Sequence, residues 1–122
     1  MSKTILVVDD AMTIRNLAKL ALGKSGYNIL EAEDGVQGLA KLKSEKVDLI
    51  ISDLNMPNMN GLEMAQAVKS DAAYKDIPIF MLTTEASQDI ALKGKEIGIM
   101  AWIVKPFVPE KLLAAVKKVI GD

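Results

Sequence analysis

Short, unbroken apolar runs alternate along this chain with longer stretches in which apolar residues recur at helical spacing. Four of the runs are rich in Ile, Val and Leu and of strand length: Thr4 to Val8, Leu49 to Ser52, Ile79 to Thr83 and Ala101 to Val104. Continuous rather than alternating hydrophobicity predicts strands buried on both faces, as in a parallel sheet covered by helices. A fifth run, Asn28 to Ala32, has only Ile29 and Leu30 as large apolar residues and reads as an edge strand.

Five helices are expected between and after these runs. In the first, Ile14, Leu17, Ala18, Ala21 and Leu22 fall at i, i+3, i+4, i+7 and i+8, and Gly26 offers the left-handed residue that follows a helix end. The second, about Val36 to Ser44, follows Asp34 as N-cap, with Val36, Leu39 and Ala40 on one face. The third begins near Asn60-Gly61 and carries Met64, Ala65 and Val68, and the fourth runs from after Ser87 to Gly98. The last is opened by Pro109 and carries Leu112, Leu113, Val116, Val119 and Ile120. Right-handed crossovers that place helices on both faces require the winding to reverse once, and a weakly apolar second strand fits an edge beside the first. The expected architecture is a doubly wound (βα)5 α/β domain, a five-stranded parallel sheet of order 2-1-3-4-5. No linker or second-domain pattern interrupts it, so residues 1–122 are expected to form one domain.

Composition narrows the chemistry. The 122 residues, half of them hydrophobic and a quarter charged, suit a chain with its own core rather than a disordered one. Cysteine and histidine are both absent, which removes disulfides, zinc-thiolate sites, Ser-His-Asp catalysis and a phosphohistidine on this chain. A net charge of -1 without a basic stripe argues against nucleic acid as a partner. The few β-prone residues before Asp9 are too short for a signal peptide or a membrane span, so a soluble, cytoplasmic protein is expected.

In an open parallel sheet a ligand binds beyond the carboxyl ends of the strands, where the order reverses. The residues that follow the runs are Asp9-Asp10, Asp53, Thr83-Thr84 and Lys105-Pro106. Two carboxylates about 4 Å apart repel by roughly 4 kcal/mol at an effective dielectric of 20, so three on one rim call for a cation. An all-oxygen site without His or Cys suits Mg²⁺. A carboxylate beside such a metal can attack phosphorus to give an aspartyl phosphate.

The strings VVDD at Val7 to Asp10, DLNMPNMNG at Asp53 to Gly61, TTEA at Thr83 to Ala86 and KPF at Lys105 to Phe107 resemble the receiver domain of two-component response regulators. The likeness spans the chain and is greatest to the stand-alone chemotaxis type. That family has a flavodoxin-like fold of the same strand order, so the order above is not independent of the resemblance. The resemblance implies Asp53 as phosphoacceptor and Asp9, Asp10, Asp53 and the backbone carbonyl of Asn55 as ligands of Mg²⁺, with Mn²⁺ as a substitute. It implies that Lys105 pairs with the phosphoryl oxygens, that Thr83 moves its hydroxyl to them, and that Trp102 is the switch aromatic. Asn55 and Glu85 would tune hydrolysis, and the Lys105-Pro106 bond would be cis. The implied partners are a histidine kinase as phosphodonor, a target on the face of helix 4, strand 5 and helix 5 such as a flagellar switch protein, and a phosphatase. The protein would be a monomer, and not an enzyme in the turnover sense.

Some positions depart from the family pattern. Thr84 stands where a smaller residue is common, Ile99 replaces the usual small residue after Gly98, Trp102 is larger than the usual Tyr or Phe, and Val108 lacks an N-capping hydroxyl. Plainer readings also exist. Asp9-Asp10 alone would be read as a helix cap and Asp53 as a loop opener; their company with Lys105 favours a site. Thr83 can simply end a strand, and Trp102 can equally be core. Met81 and Met100 sit in apolar runs and are expected to pack, Met56 and Met59 to lie in the loop after Asp53.

Other functions remain to be weighed. A phosphate sink or a shuttle in another relay has the same site. A phosphatase of the haloacid dehalogenase type also uses an Asp nucleophile, but Asn55 stands where its general acid is needed and cannot donate a proton in that way. A flavodoxin-like electron carrier calls for a hydroxyl- and glycine-rich loop where this chain has two carboxylates.

Overall fold

In the computed structural model, which describes residues 2–84 and 87–121, all five apolar runs are strands. They are β1 (Thr4–Val8), β2 (Asn28–Ala32), β3 (Leu49–Asp53), β4 (Ile79–Thr83) and β5 (Ala101–Val104). Between and after them lie α1 (Met12–Gly23), α2 (Gly35–Ser44), α3 (Gly61–Lys69), α4 (Gln88–Ile97) and α5 (Pro109–Ile120). The strands pair in parallel in the order β2-β1-β3-β4-β5, which is the doubly wound arrangement expected.

Side-chain alternation along each strand splits the core into two layers. Leu6, Val8, Ile50, Ile79 and Met81 face α2, α3 and α4, whereas Ile5, Val7, Leu49, Ile51, Phe80 and Leu82 face α1 and α5. Leu112 and Val116 attach α5 to the second layer, each contributing about 1.5–3 kcal/mol of burial. Local chemistry starts the helices as the sequence suggests. Asp34 accepts from the Gln37 amide at 2.9 Å, Asn60 and Glu63 form a capping box, and Ser87 accepts from the Ile90 amide. Val108 makes no side-chain cap, and Pro109 opens α5.

Several inward-facing assignments need correction. Leu17 is half exposed because the buried stripe of α1 is centred on Arg15, Ala18 and Leu22, which leaves Leu17 about 100° round the helix from Ala18. On α2 the buried residues are Gly35, Gly38 and Leu42, while Val36 and Ala40 face out. A Cβ at Gly38 would sit 2.8 Å from the Met64 sulfur, so helix and core approach too closely for a larger residue there. Met100 is exposed rather than packed, since it precedes β5 instead of joining it. Gly26 has the left-handed φ of 91°, but α1 has already ended at Gly23, with Lys24 as its right-handed cap. Among the described residues, no helix is long and apolar enough to cross a membrane.

Candidate functional site

Register decides which side chains meet. Val8 is level with Ser52 across β1 and β3, so Asp9 and Asp53 emerge side by side at the carboxyl end of the sheet. The Asp9 amide extends the ladder by donating to Ala32 O at 3.0 Å, and its side chain is wholly buried. Asp10, one residue on, is exposed. On the other side, Thr83 is level with Val104, and the Lys105 amide donates to Thr83 O at 2.9 Å. That bond turns Lys105 toward the first strands. Its ammonium donates to Asp9 Oδ2 at 2.9 Å and lies 3.1 Å from Asp53 Oδ1.

Asp9, Asp10 and Asp53 each offer a carboxylate oxygen, and these oxygens lie within 4.8 Å of one another. Burial pushes the Asp53 pKa above the ordinary aspartate value; the Lys105 hydrogen bond pulls it back, and the neighbouring Asp9 charge raises it further. For Lys105, burial works against the charge, but hydrogen bonds to Asp9 and Asp53 outweigh it and hold the pKa above the ordinary lysine value. Three hard oxygen donors of which one is open to solvent fit a divalent cation that keeps part of its water shell.

The remaining expected residues take varied places. Thr83 is buried at the end of β4, Asn55 is exposed two residues after Asp53, and the Lys105-Pro106 bond is cis. Glu85 lies outside the described residues. Trp102 points to the α4 side of the sheet, where its indole lies so close over Gly94 that a Cβ there would be 2.2 Å from Cζ2.

Three features of the rim escaped the sequence reading. Arg15 is buried and donates to the Asp9 carbonyl at 2.7 Å; the available signal was a charged residue on the same helical stripe as Ala18 and Leu22. Asn58, with φ of 67°, donates to Asp34 at 2.8 Å and so ties the loop after β3 to the start of α2. Gly94 is a lone glycine inside a helix, where glycine costs about 1 kcal/mol relative to alanine and therefore signals close packing.

Comparison with known proteins decides the family. The profile of the response regulator receiver domain matches residues 5–117. The chain belongs to the response regulator receiver domain family. This receiver is 41% identical over 119 residues to chemotaxis protein CheY1 of Helicobacter pylori, covering 96% of both chains. It is 42% identical over 118 residues to the phosphate regulon transcriptional regulatory protein PhoB of Pseudomonas aeruginosa, covering 97% of this chain but only 52% of PhoB. The receiver thus spans about half the length of that relative and nearly all of the other. Among solved structures, the chemotaxis response regulator CheY4 of Vibrio cholerae superposes with a TM-score of 0.91 at 43% identity, over 98% of this chain and 99% of that one. The receiver is a CheY-like signalling domain of two-component systems.

Proposed function

We propose that residues 1–122 act as a single-domain response regulator that accepts a phosphoryl group from a histidine kinase on Asp53, with Mg²⁺ held at Asp9, Asp10, Asp53 and the Asn55 carbonyl. The observation that carries this reading is the Lys105 ammonium set between Asp9 and Asp53, with the Asp10 carboxylate beside them. An Asp53 oxygen attacks phosphorus, the bond to the donor histidine nitrogen breaks, and that nitrogen leaves with the electron pair. Bound Mg²⁺ supplies charge neutralisation for the carboxylates and the transferring oxygens. Lys105 moves its ammonium from the carboxylates to the phosphoryl oxygens. Thr83 turns its hydroxyl toward the same group, and the space it leaves lets Trp102 reorient. Asn55 and Glu85 tune the hydrolysis of the phosphoryl group.

The output surface in this reading is the face of α4, β5 and α5, where the apolar side chains of Leu92, Met100 and Val104 are more than half exposed. The similarity to CheY1 and CheY4 supports chemotaxis, and in this reading the target is a flagellar switch protein. The protein works as a cytoplasmic monomer. It catalyses only its own phosphorylation and dephosphorylation.

Incubation with acetyl phosphate and Mg²⁺, followed by intact mass measurement, tests the site. The expected result is one added phosphoryl group in the wild type and none in Asp53→Asn. Stoichiometric labelling of that variant would falsify the assignment of Asp53.

A further inference from the structure

We propose that Arg15 is a positioning residue for the metal site: its guanidinium clamps the peptide unit between Asp9 and Asp10, and Glu31 on the edge strand holds the guanidinium in place. The proposal rests on the reading of the three aspartates as ligands of a divalent cation, and it concerns how one of them is aimed.

A buried guanidinium is costly unless its donors are satisfied. Arg15 satisfies them in two directions, through Nη1 to the Asp9 carbonyl at 2.7 Å and Nε to Glu31 Oε1 at 3.2 Å. Asp9 has its own anchors, accepting from the Ala11 amide at 2.9 Å and from Lys105. Asp53 likewise faces Lys105. Asp10 differs: its side chain is exposed, and no side chain among the described residues grips its carboxylate. The peptide plane that joins it to Asp9 is the frame from which the Asp10 φ and side-chain torsions aim that carboxylate. Arg15 holds the oxygen of that plane. Glu31 lies at the level of Val7 on β2, so the edge strand takes part in aiming a metal ligand that it does not touch. Outer-shell partners that hold a ligating side chain directly commonly affect affinity by about 10–100-fold; Arg15 acts through the backbone, so the lower end applies.

Charge and positioning predict opposite signs. Arg15 is a cation near an acidic site, so if charge were its only influence, neutralising it would tighten Mg²⁺ binding. If it positions Asp10, neutralising it weakens binding despite that gain. Calorimetric titration with MgCl₂ at neutral pH and fixed ionic strength, on wild type, Arg15→Met and Arg15→Lys, separates the two. The expected result is a rise in Kd of about 10-fold for Arg15→Met. A smaller rise is expected for Arg15→Lys, whose single ammonium keeps the charge but cannot span both partners. In an Asp10→Ala background, titrated with Mn²⁺ and followed by electron paramagnetic resonance, Arg15→Met should no longer weaken binding and, with only its charge effect left, should leave the affinity unchanged or slightly tighter. Far-UV circular dichroism checks that each variant is folded; where Arg15→Met is not, Arg15→Lys and its combination with Asp10→Ala carry the test. Unchanged or tighter Mg²⁺ binding in the folded single variants, or an undiminished loss of affinity in the Asp10→Ala background, overturns the positioning role alone. A wild type that takes up no Mg²⁺ overturns the metal reading and the proposal with it.

Discussion

Replacing Lys105 with methionine keeps most of the side chain's length and removes its charge from between two carboxylates. At the observed 2.9 and 3.1 Å, each attraction is worth about 5–6 kcal/mol at an effective dielectric of 20. With the carboxylate oxygens within 4.8 Å of one another, each carboxylate pair repels by at least about 3 kcal/mol at the same dielectric. The ammonium therefore offsets most of the repulsion in the metal-free cluster. Its removal also relieves its own desolvation and lets Asp53 take up a proton, so the net loss should be smaller, about 3 kcal/mol at neutral pH, near the lower end for a broken buried pair. The pH dependence follows from Asp53. Its folded pKa lies above the unfolded value, so its contribution to stability is lost as pH rises from the unfolded towards the folded pKa. Without the Lys105 hydrogen bond, which lowers that pKa, the window reaches further upward. The deficit of Lys105→Met should therefore be small in acid and open as pH rises. Mg²⁺ should close it again, because the metal replaces the lost cation without competition; a ligand at 100 times its Kd adds about 2.7 kcal/mol. Urea unfolding of both proteins, with and without MgCl₂ across the acid-to-neutral range, measures all of this. A deficit independent of pH and of Mg²⁺ would show that the lysine acts through the packing of its stem.

Asp53→Asn should raise the melting temperature of the metal-free protein by a few degrees at neutral pH, since the ionised carboxylate is disfavoured by burial and by Asp9; thermal unfolding in EDTA checks it, and an unchanged or lower value counts against the electrostatic account. Gly94→Ala would place a methyl group into the indole of Trp102, costing about 1–3 kcal/mol in overpacking against about 1 kcal/mol of helix propensity gained. The single tryptophan should then emit further to the red and be quenched more readily by acrylamide; an identical spectrum would mean that α4 yields instead. Gly61→Ala would bring a Cβ to 2.3 Å from the Asp53 carbonyl oxygen, and since the obstacle is backbone, the loss should exceed about 3 kcal/mol, beyond the usual overpacking range. Urea unfolding measures it, and tolerance of the methyl group would mean that the start of α3 can move away from Asp53.

The strands were legible because a sheet buried on both faces needs continuous apolar runs, and those runs are visible one residue at a time; their order drew on the weakly apolar second strand together with the family resemblance. The carboxylates and Lys105 were legible for a related reason: each directly follows a run, and the sheet carries all such residues to one end. Side-chain direction on the helices was less accessible. Gly35 and Gly38 form the inner face of α2 because the core leaves no room for a Cβ, yet a search for apolar side chains passes over glycine and selects Val36. Arg15 was hidden by the opposite assumption, that a charge belongs to the solvated face. Its burial depends on a carbonyl and a glutamate from β1 and β2, a coincidence in space that spacing along the chain does not encode.

The two walls of the cleft are fastened unequally. Beyond Asp53 the chain is tied to α2 by Asn58 and by the Gly35 amide donating to Met59 O at 3.1 Å, and to itself by the Gly61 amide on Leu54 O. Further along the same face of the sheet, the only fully buried residue of α4 is Gly94, which contributes no side chain to the core. Displacing α3 would break hydrogen bonds and uncover Met64, Ala65 and Val68, whereas displacing α4 slides Gly94 over an indole and disturbs only the partly buried Ile90 and Ile97. The molecule therefore has a stiff side and a compliant side, and a strain introduced at their junction relaxes in one direction. Directionality of this kind needs no dedicated relay of residues: it follows from where the protein has placed its large side chains and where it has left them out.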